Sequence, residues 1–235
     1  MTGRTIYINV WTLVLSLFTL AAEGQTMVYL ERSESLSFDQ ERIPDAQILR
    51  GNVVFRHDNA LMYCDSAYFY EYTNSLDAFG HVRFVQGDTL RGYGDKLFYD
   101  GNTKLARMRR NVRLVHGREN ENPTILTTDS LNYDMMTELG YFLDGGEIDD
   151  KKNRLSSIHG QYSPRTKDAE FNDDVLLENN EDGYTLETNR LLYNTDTHIA
   201  KIVDNTLIKS ENDTIYCKKG WYNTNTDEAQ LHSRS

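Results

Sequence analysis

The chain has 235 residues, and its 36 Asp and Glu against 25 Lys and Arg give a formal charge of −11. That balance argues against a general nucleic-acid binder, whose affinity rests on neutralising phosphates. Only 3 prolines beside 15 tyrosines and 9 phenylalanines, with frequent Asn, Asp and Thr, predict short strands separated by polar turns.

Residues 1–24 differ from the rest. They carry Arg4, an apolar run from about Ile6 to Ala22, and a small-x-small ending at Ala22 and Gly24. This reads as a secretory signal peptide cut near Gln25, with an uncleaved N-terminal anchor as the alternative. Either way the remainder is exported. Residues 25–45 form a lead-in that contains a first partial repeat, and 46–235 form a β-repeat domain that ends mid-repeat, as a fragment of a longer protein or an open edge would. Cys64 and Cys217 then sit in an oxidising compartment, where a single disulfide is conceivable from the count alone.

A repeat of about thirty residues runs through the exported part. An aromatic followed by a turn recurs at Phe38, Phe69, Tyr99, Tyr133, Tyr162, Tyr193 and Tyr222, at intervals of 29 to 34 residues. Two positions before each stands Leu36, Ala67, Leu97, Leu131, Gly160, Leu191 or Gly220, the period of two expected along one face of a strand. Further back the spacing skips a beat, often at an Asp (Asp65, Asp95, Asp129), which predicts a bulge or corner. After each turn a second alternation ends on Val53/Phe55, Val82/Phe84, Val112/Leu114, Gly146/Ile148, Val175/Leu177 and Thr206/Ile208. The longest interval falls in "HGRENENPT", a surface loop where an insertion costs little.

The cluster "ARMRRNVRL" is therefore one strand of the repeat. Ala106, Met108, Val112 and Leu114 face one way, while Arg107, Arg109 and Arg113 face the other; Arg83 is the repeat equivalent of Arg113. These arginines are expected either as an ordinary solvated face or as an outer basic stripe for an anionic, phosphorylated partner.

Strand segments that are apolar on one face only bury that face by stacking. The fold class expected is all-β, an elongated repeat-built β-jelly roll or solenoid-like stack of antiparallel strands. Cys64 and Cys217 occupy equivalent positions several repeats apart, so both are expected as free small core residues. The six histidines, His57, His81, His116, His159, His198 and His232, show no metal-ligand spacing, and the acidic turns lack the pattern of a calcium loop. No catalytic residue, metal ligand or cofactor is assigned. "NDT" at Asn212 fits the glycosylation sequon only formally.

Three stretches, "LRGNVVFRHDNALMYCDSAYFY", "AFGHVRFVQGDTLRGYGDKLFYDGNTKLA" and "RRNVRLVHG…ILTTDSLNYD", resemble the OstA/LptA-like lipopolysaccharide-transport (organic solvent tolerance) family. The shared form is G-x-V-x-apolar, a polar turn, then apolar-x-small-D-x-apolar-x-Y-D/N. The later repeats depart from it: Ile158 and Lys218 replace the corner Asp, and Asp144, Asp173 and Asp204 replace the Gly before the second strand. The resemblance implies a periplasmic, non-enzymatic β-jelly roll, free or associated with the outer membrane, that binds the lipid A part of lipopolysaccharide. It also implies edge-to-edge strand pairing with other transport components, head-to-tail self-association, and no nucleic-acid partner. Phe55, Phe69, Phe84, Tyr99, Leu114, Tyr133, Ile148 and Tyr162 are the interior residues expected to contact acyl chains, with Arg83, Arg107, Arg109 and Arg113 as anion contacts. Two alternatives stay open. One is an exported structural scaffold that assembles through its sheet edges, the other a carbohydrate-active β-helix with carboxylates from different rungs.

Overall fold

Apolar alternation on both sides of a skipped beat makes each long strand bend. The computed structural model describes residues 26–118 and 122–232, so the expected signal peptide lies outside the described residues. Within them the chain is all strand and turn. The lead-in forms β1 (Tyr29–Arg32) and β2 (Ser35–Ser37). Six long strands follow: β3 (Gln47–His57), β4 (Ala60–Tyr70), β5 (Ser75–Gln86), β6 (Leu90–Asp100), β7 (Leu105–His116) and β8 (Thr124–Asp134). The next two rungs are split at the bend into β9 (Leu139–Phe142), β10 (Gly146–Asp149), β11 (Asn153–Ser157) and β12 (His159–Tyr162). β13 (Asp168–Asn179) and β14 (Thr185–Asn194) are whole again. β15 (Ile199–Ile202), β16 (Thr206–Lys209), β17 (Thr214–Cys217) and β18 (Lys219–Asn223) are split, and β19 (Ala229–His232) ends the described chain.

All pairing is antiparallel and joins neighbouring rungs, with β8 meeting both β9 and β10 and β14 both β15 and β16, so the rungs stack in chain order. Each rung has a first arm, such as 47–50 of β3, and a second arm, such as 53–57, with the ladder shifting register between Arg50 and Val53. The same shift recurs between Tyr63 and Ser66, Phe79 and Val82, Tyr93 and Lys96, and Arg109 and Val112. At this corner every second strand turns through two left-handed residues: Gly51 and Asn52, Gly80 and His81, Arg110 and Asn111, and later Asp173 and Asp174. A single residue, Asp65, Asp95 or Asp129, stands opposite. These are the corner aspartates expected from the skipped beat.

The aspartate holds the corner by accepting hydrogen bonds. Asp65 pairs with His81 Nδ1 at 2.7 Å, and Asn111 donates Nδ2–H to Asp95 at 2.9 Å. Gly80 is required by contact as well as by its φ of +75°, since a Cβ there would lie 2.4 Å from Asp65 Oδ2.

The two arms of each rung form two sheets that face each other across one interior. One apolar cluster fills it from Val28 to Cys217. Cys64 and Cys217 are both buried and free, as expected from their register.

Candidate functional site

The eight interior residues expected to meet acyl chains fall on two transverse rows. On the sheet that holds residues 47–50 the row reads Phe69, Leu76, Tyr99, Ala106, Tyr133, Gly140, Tyr162, Ala169, Tyr193, Ala200, Tyr222 and Ala229. From Tyr99 onward, large rings alternate with Ala or Gly, which leaves each ring room over its neighbours. On the facing sheet Phe55, Phe84, Leu114 and Ile148 lie on one row, through Met62, Gly92 and Leu126.

The rows meet in the middle. Phe55 and Phe69 have ring centroids 5.3 Å apart, and Phe84 stacks on Tyr133 at 5.7 Å. All eight residues are at most 5% exposed, so the interior is packed with protein side chains. Gly92 shows how tightly, because a Cβ there would lie 2.1 Å from Phe84 Cε1. The apolar rows become exposed only at the two ends of the stack, at Leu36 and Phe38 on one and Ile215 on the other.

The four expected anion contacts are on outer faces, split between the sheets. Arg83, Tyr93 and Arg113 share one transverse row, so a tyrosine strand separates the two arginines. The Arg83 guanidinium sits 4.2 Å from the ring centre of Tyr63. Arg107 and Arg109 project from the other sheet, opposite Phe98 and Lys96. Arg109 is engaged internally, donating to Met108 O, Leu131 O and Asn132 Oδ1. Arg107 and Arg113 are exposed.

Sequence reasoning missed a second set of polar residues. The corner joins the two sheets covalently, whereas their free tips meet along a seam opposite. There, interior tyrosines reach across to a polar residue at or just beyond the tip of a facing strand. Tyr99 Oη lies 2.6 Å from His57 Nδ1 and Tyr162 Oη 2.9 Å from His116 Nδ1, while Tyr193 donates to Asp150. Tyr133 makes the longest of these contacts, 3.5 Å to Gln86 Oε1. The signal was present: His57, Gln86, His116, Asp150 and Asn179 recur with the repeat, but at positions that read as turns.

Desolvation dominates the electrostatics of the seam. It holds the imidazoles of His57 and His116 below the usual histidine range, with nearby Lys104 and Lys167 adding to the effect. The Tyr99, Tyr133 and Tyr193 phenols are pushed up by the same burial. Every buried side-chain nitrogen and oxygen among the described residues has a hydrogen-bond partner. Among those residues, no group of three His, Cys, Asp or Glu side chains is placed to hold a metal ion.

A packed apolar interior between two sheets, built from a repeat with a corner aspartate, agrees with the family comparison. The family model of the OstA-like proteins matches residues 25–187. The chain belongs to the OstA-like protein family. That membership implies a periplasmic protein of lipopolysaccharide-transport type. The match takes in β1 to β13 and the start of β14, while β15 to β19 lie beyond it. No curated protein matches the chain.

Proposed function

We propose that this OstA-like chain is a non-enzymatic carrier or bridge that holds the acyl chains of lipid A between its two sheets on the way to the outer membrane. The observation that carries this reading is the pair of facing apolar rows, Phe55, Phe84, Leu114 and Ile148 against Phe69, Tyr99, Tyr133 and Tyr162, which run along the stack without a polar interruption. Acyl chains gain roughly 0.8 kcal/mol per CH₂ removed from water in such a place. The exposed Arg107 and Arg113 supply cations for the phosphates and acidic sugars of the same lipid. Leu36, Phe38 and Ile215 at the ends supply apolar edges for other transport components, or for another copy of the chain, to pair with.

Co-elution of the mature chain with lipopolysaccharide, competed by a fluorescent lipid A analogue, tests this. Photo-reactive residues at Phe84 or Tyr133 are expected to cross-link the lipid. A folded, β-rich protein that neither retains nor cross-links it would overturn the reading. The packed interior favours a second one, an exported scaffold that assembles through its edges. Concentration-dependent filaments without lipid retention would establish that instead.

A further inference from the structure

Given the lipid-carrier reading, on which this inference rests, the packed interior must open somewhere to admit an acyl chain. The corner is crossed by backbone at rung after rung, so the sheets cannot part there. The seam is held by side chains alone. Its fastening is strong at Tyr99 with His57 and at Tyr162 with His116, and weakest between them, where Tyr133 only reaches Gln86 at 3.5 Å.

A cleft of about 490 Å³ opens at that weak point, lined by Asp58 and Gln86 from the tips of one sheet and by Lys104, Met135 and Met136 from the tips of the other. Met135 packs on the interior cluster, while Met136 is 62% exposed. Two unbranched thioethers at the mouth of an apolar interior adapt readily to a passing alkyl chain. An ion pair crosses this cleft, joining Lys104 Nζ to Asp58 Oδ2 at 2.6 Å.

We propose that this cleft is the port through which a phosphorylated acyl lipid loads. The lipid's phosphate takes Lys104 from Asp58, which breaks the ion pair across the seam as the headgroup docks. An acyl chain then passes Met136 and Met135 as Tyr133 leaves Gln86, and it reaches the facing rows at Phe84. The left-handed corner residues act as the hinge opposite.

The test joins the two lips of the port. Asp58→Cys with Lys104→Cys, bridged by a short cleavable thiol cross-linker, is compared with the same protein after cleavage. Both native thiols are buried and held protonated by that burial, which pushes Cys64 up to about 12 and raises Cys217, and the wild-type protein treated with the same cross-linker is the control for them. The probe is fluorescent lipid A, read as loading rate and extent. Loss of loading on bridging and recovery on cleavage are expected. Tyr133→Phe with Gln86→Leu, which removes the weak fastening and keeps Lys104, is expected to load faster than wild type. If the bridged protein loads as fast as the cleaved one, or the second variant at the wild-type rate, the port is elsewhere although the carrier reading stands. If wild type itself does not load, the carrier reading falls and the port with it.

Discussion

The strands β3 to β8 and the rungs that follow share one repeat, yet β3 to β8 all run unbroken round the corner, whereas of the later rungs only β13 and β14 do. In the first set a pair such as Arg50 with Ser66 flanks the corner, and an aspartate opposite accepts from the left-handed residues. In the split rungs the pairs that would correspond, Leu143 with His159 and Val203 with Lys219, are missing from the ladder. Ile158 and Lys218 stand where the aspartate did, and neither side chain can accept a hydrogen bond. The acid has moved across the corner, to Asp144, Asp173 and Asp204. At β13 this still works, because Asp173 pairs with His159 Nδ1 at 2.7 Å and the strand stays whole. Continuity of a bent strand thus follows where the corner acid sits and whether it finds a partner, rather than apolar alternation, which both sets keep.

The largest expected contrast is in burial. Phe84→Asp puts a carboxylate against Tyr133 in the packed half and is expected to cost at least about 4 kcal/mol, enough to unfold those rungs. Ile215→Asp changes an equivalent interior row at the far end, where the side chain is 44% exposed, and is expected to cost under about 1 kcal/mol. Urea titrations followed by circular dichroism check both. Equal losses would show that the last rungs are as tightly closed as the first.

Corner glycines sharpen the comparison. Gly80→Ala meets both a φ of +75° and Asp65, so about 1–3 kcal/mol is expected. Gly145→Ala, at a φ of +90° in a split rung, meets no atom within 4 Å and bears backbone strain alone, about 1 kcal/mol. A Gly145 loss as large as that at Gly80 would remove the contact argument.

Much of this was legible in the sequence. Period-two alternation gave the faces, and the skipped beat at Asp65, Asp95 and Asp129 gave the corner, because both are local backbone geometry. The departures at Ile158, Lys218, Asp144 and Asp204 mark the four split rungs. What stayed hidden is contact across the interior. The tyrosines reach partners 42 to 47 residues away, on the other sheet. No local pattern reports how two sheets fold over each other, so His57 and His116 read as turn residues. For the same reason the shared row of Arg83 and Arg113 was expected, but their separation from Arg107 and Arg109 was not.

The seam separates the two halves by chemistry. Tyr193→Phe removes the hydroxyl that donates to the buried Asp150 carboxylate, which keeps only the Asn153 amide and His198 beside it, and is expected to cost about 1–3 kcal/mol. Tyr133→Phe loses only the long contact to Gln86 and is expected to cost about 0.5 kcal/mol. Thermal melts of the two variants rank them, and reversal would mean that Gln86 holds the seam more firmly than its geometry allows.

The smallest effect is one of pH, and it is read at the rungs where Tyr99 and Tyr162 meet His57 and His116. Burial lowers the folded-state titration of His57 and His116 below that of the unfolded chain, near 6.5. Between the two values the unfolded state binds the extra proton, so stability rises with pH there. Their contribution is complete above about pH 6.5 and is lost as pH falls through that value toward the folded one. His57 is faced by Tyr99, Thr26, Asp58 and Lys104, and His116 by Tyr162, Lys167 and Glu138, so one anion and one cation offset each other at each site. Gln86 occupies the same position in the rung between them and does not titrate. His57→Gln with His116→Gln is therefore expected to flatten the acid limb while keeping the seam closed. Hydrogen exchange at pH 5 and pH 7 reads it rung by rung: faster opening at β3 to β7 in wild type at pH 5, and none in the variant. An unchanged acid limb in the variant would place the acid sensitivity outside the seam.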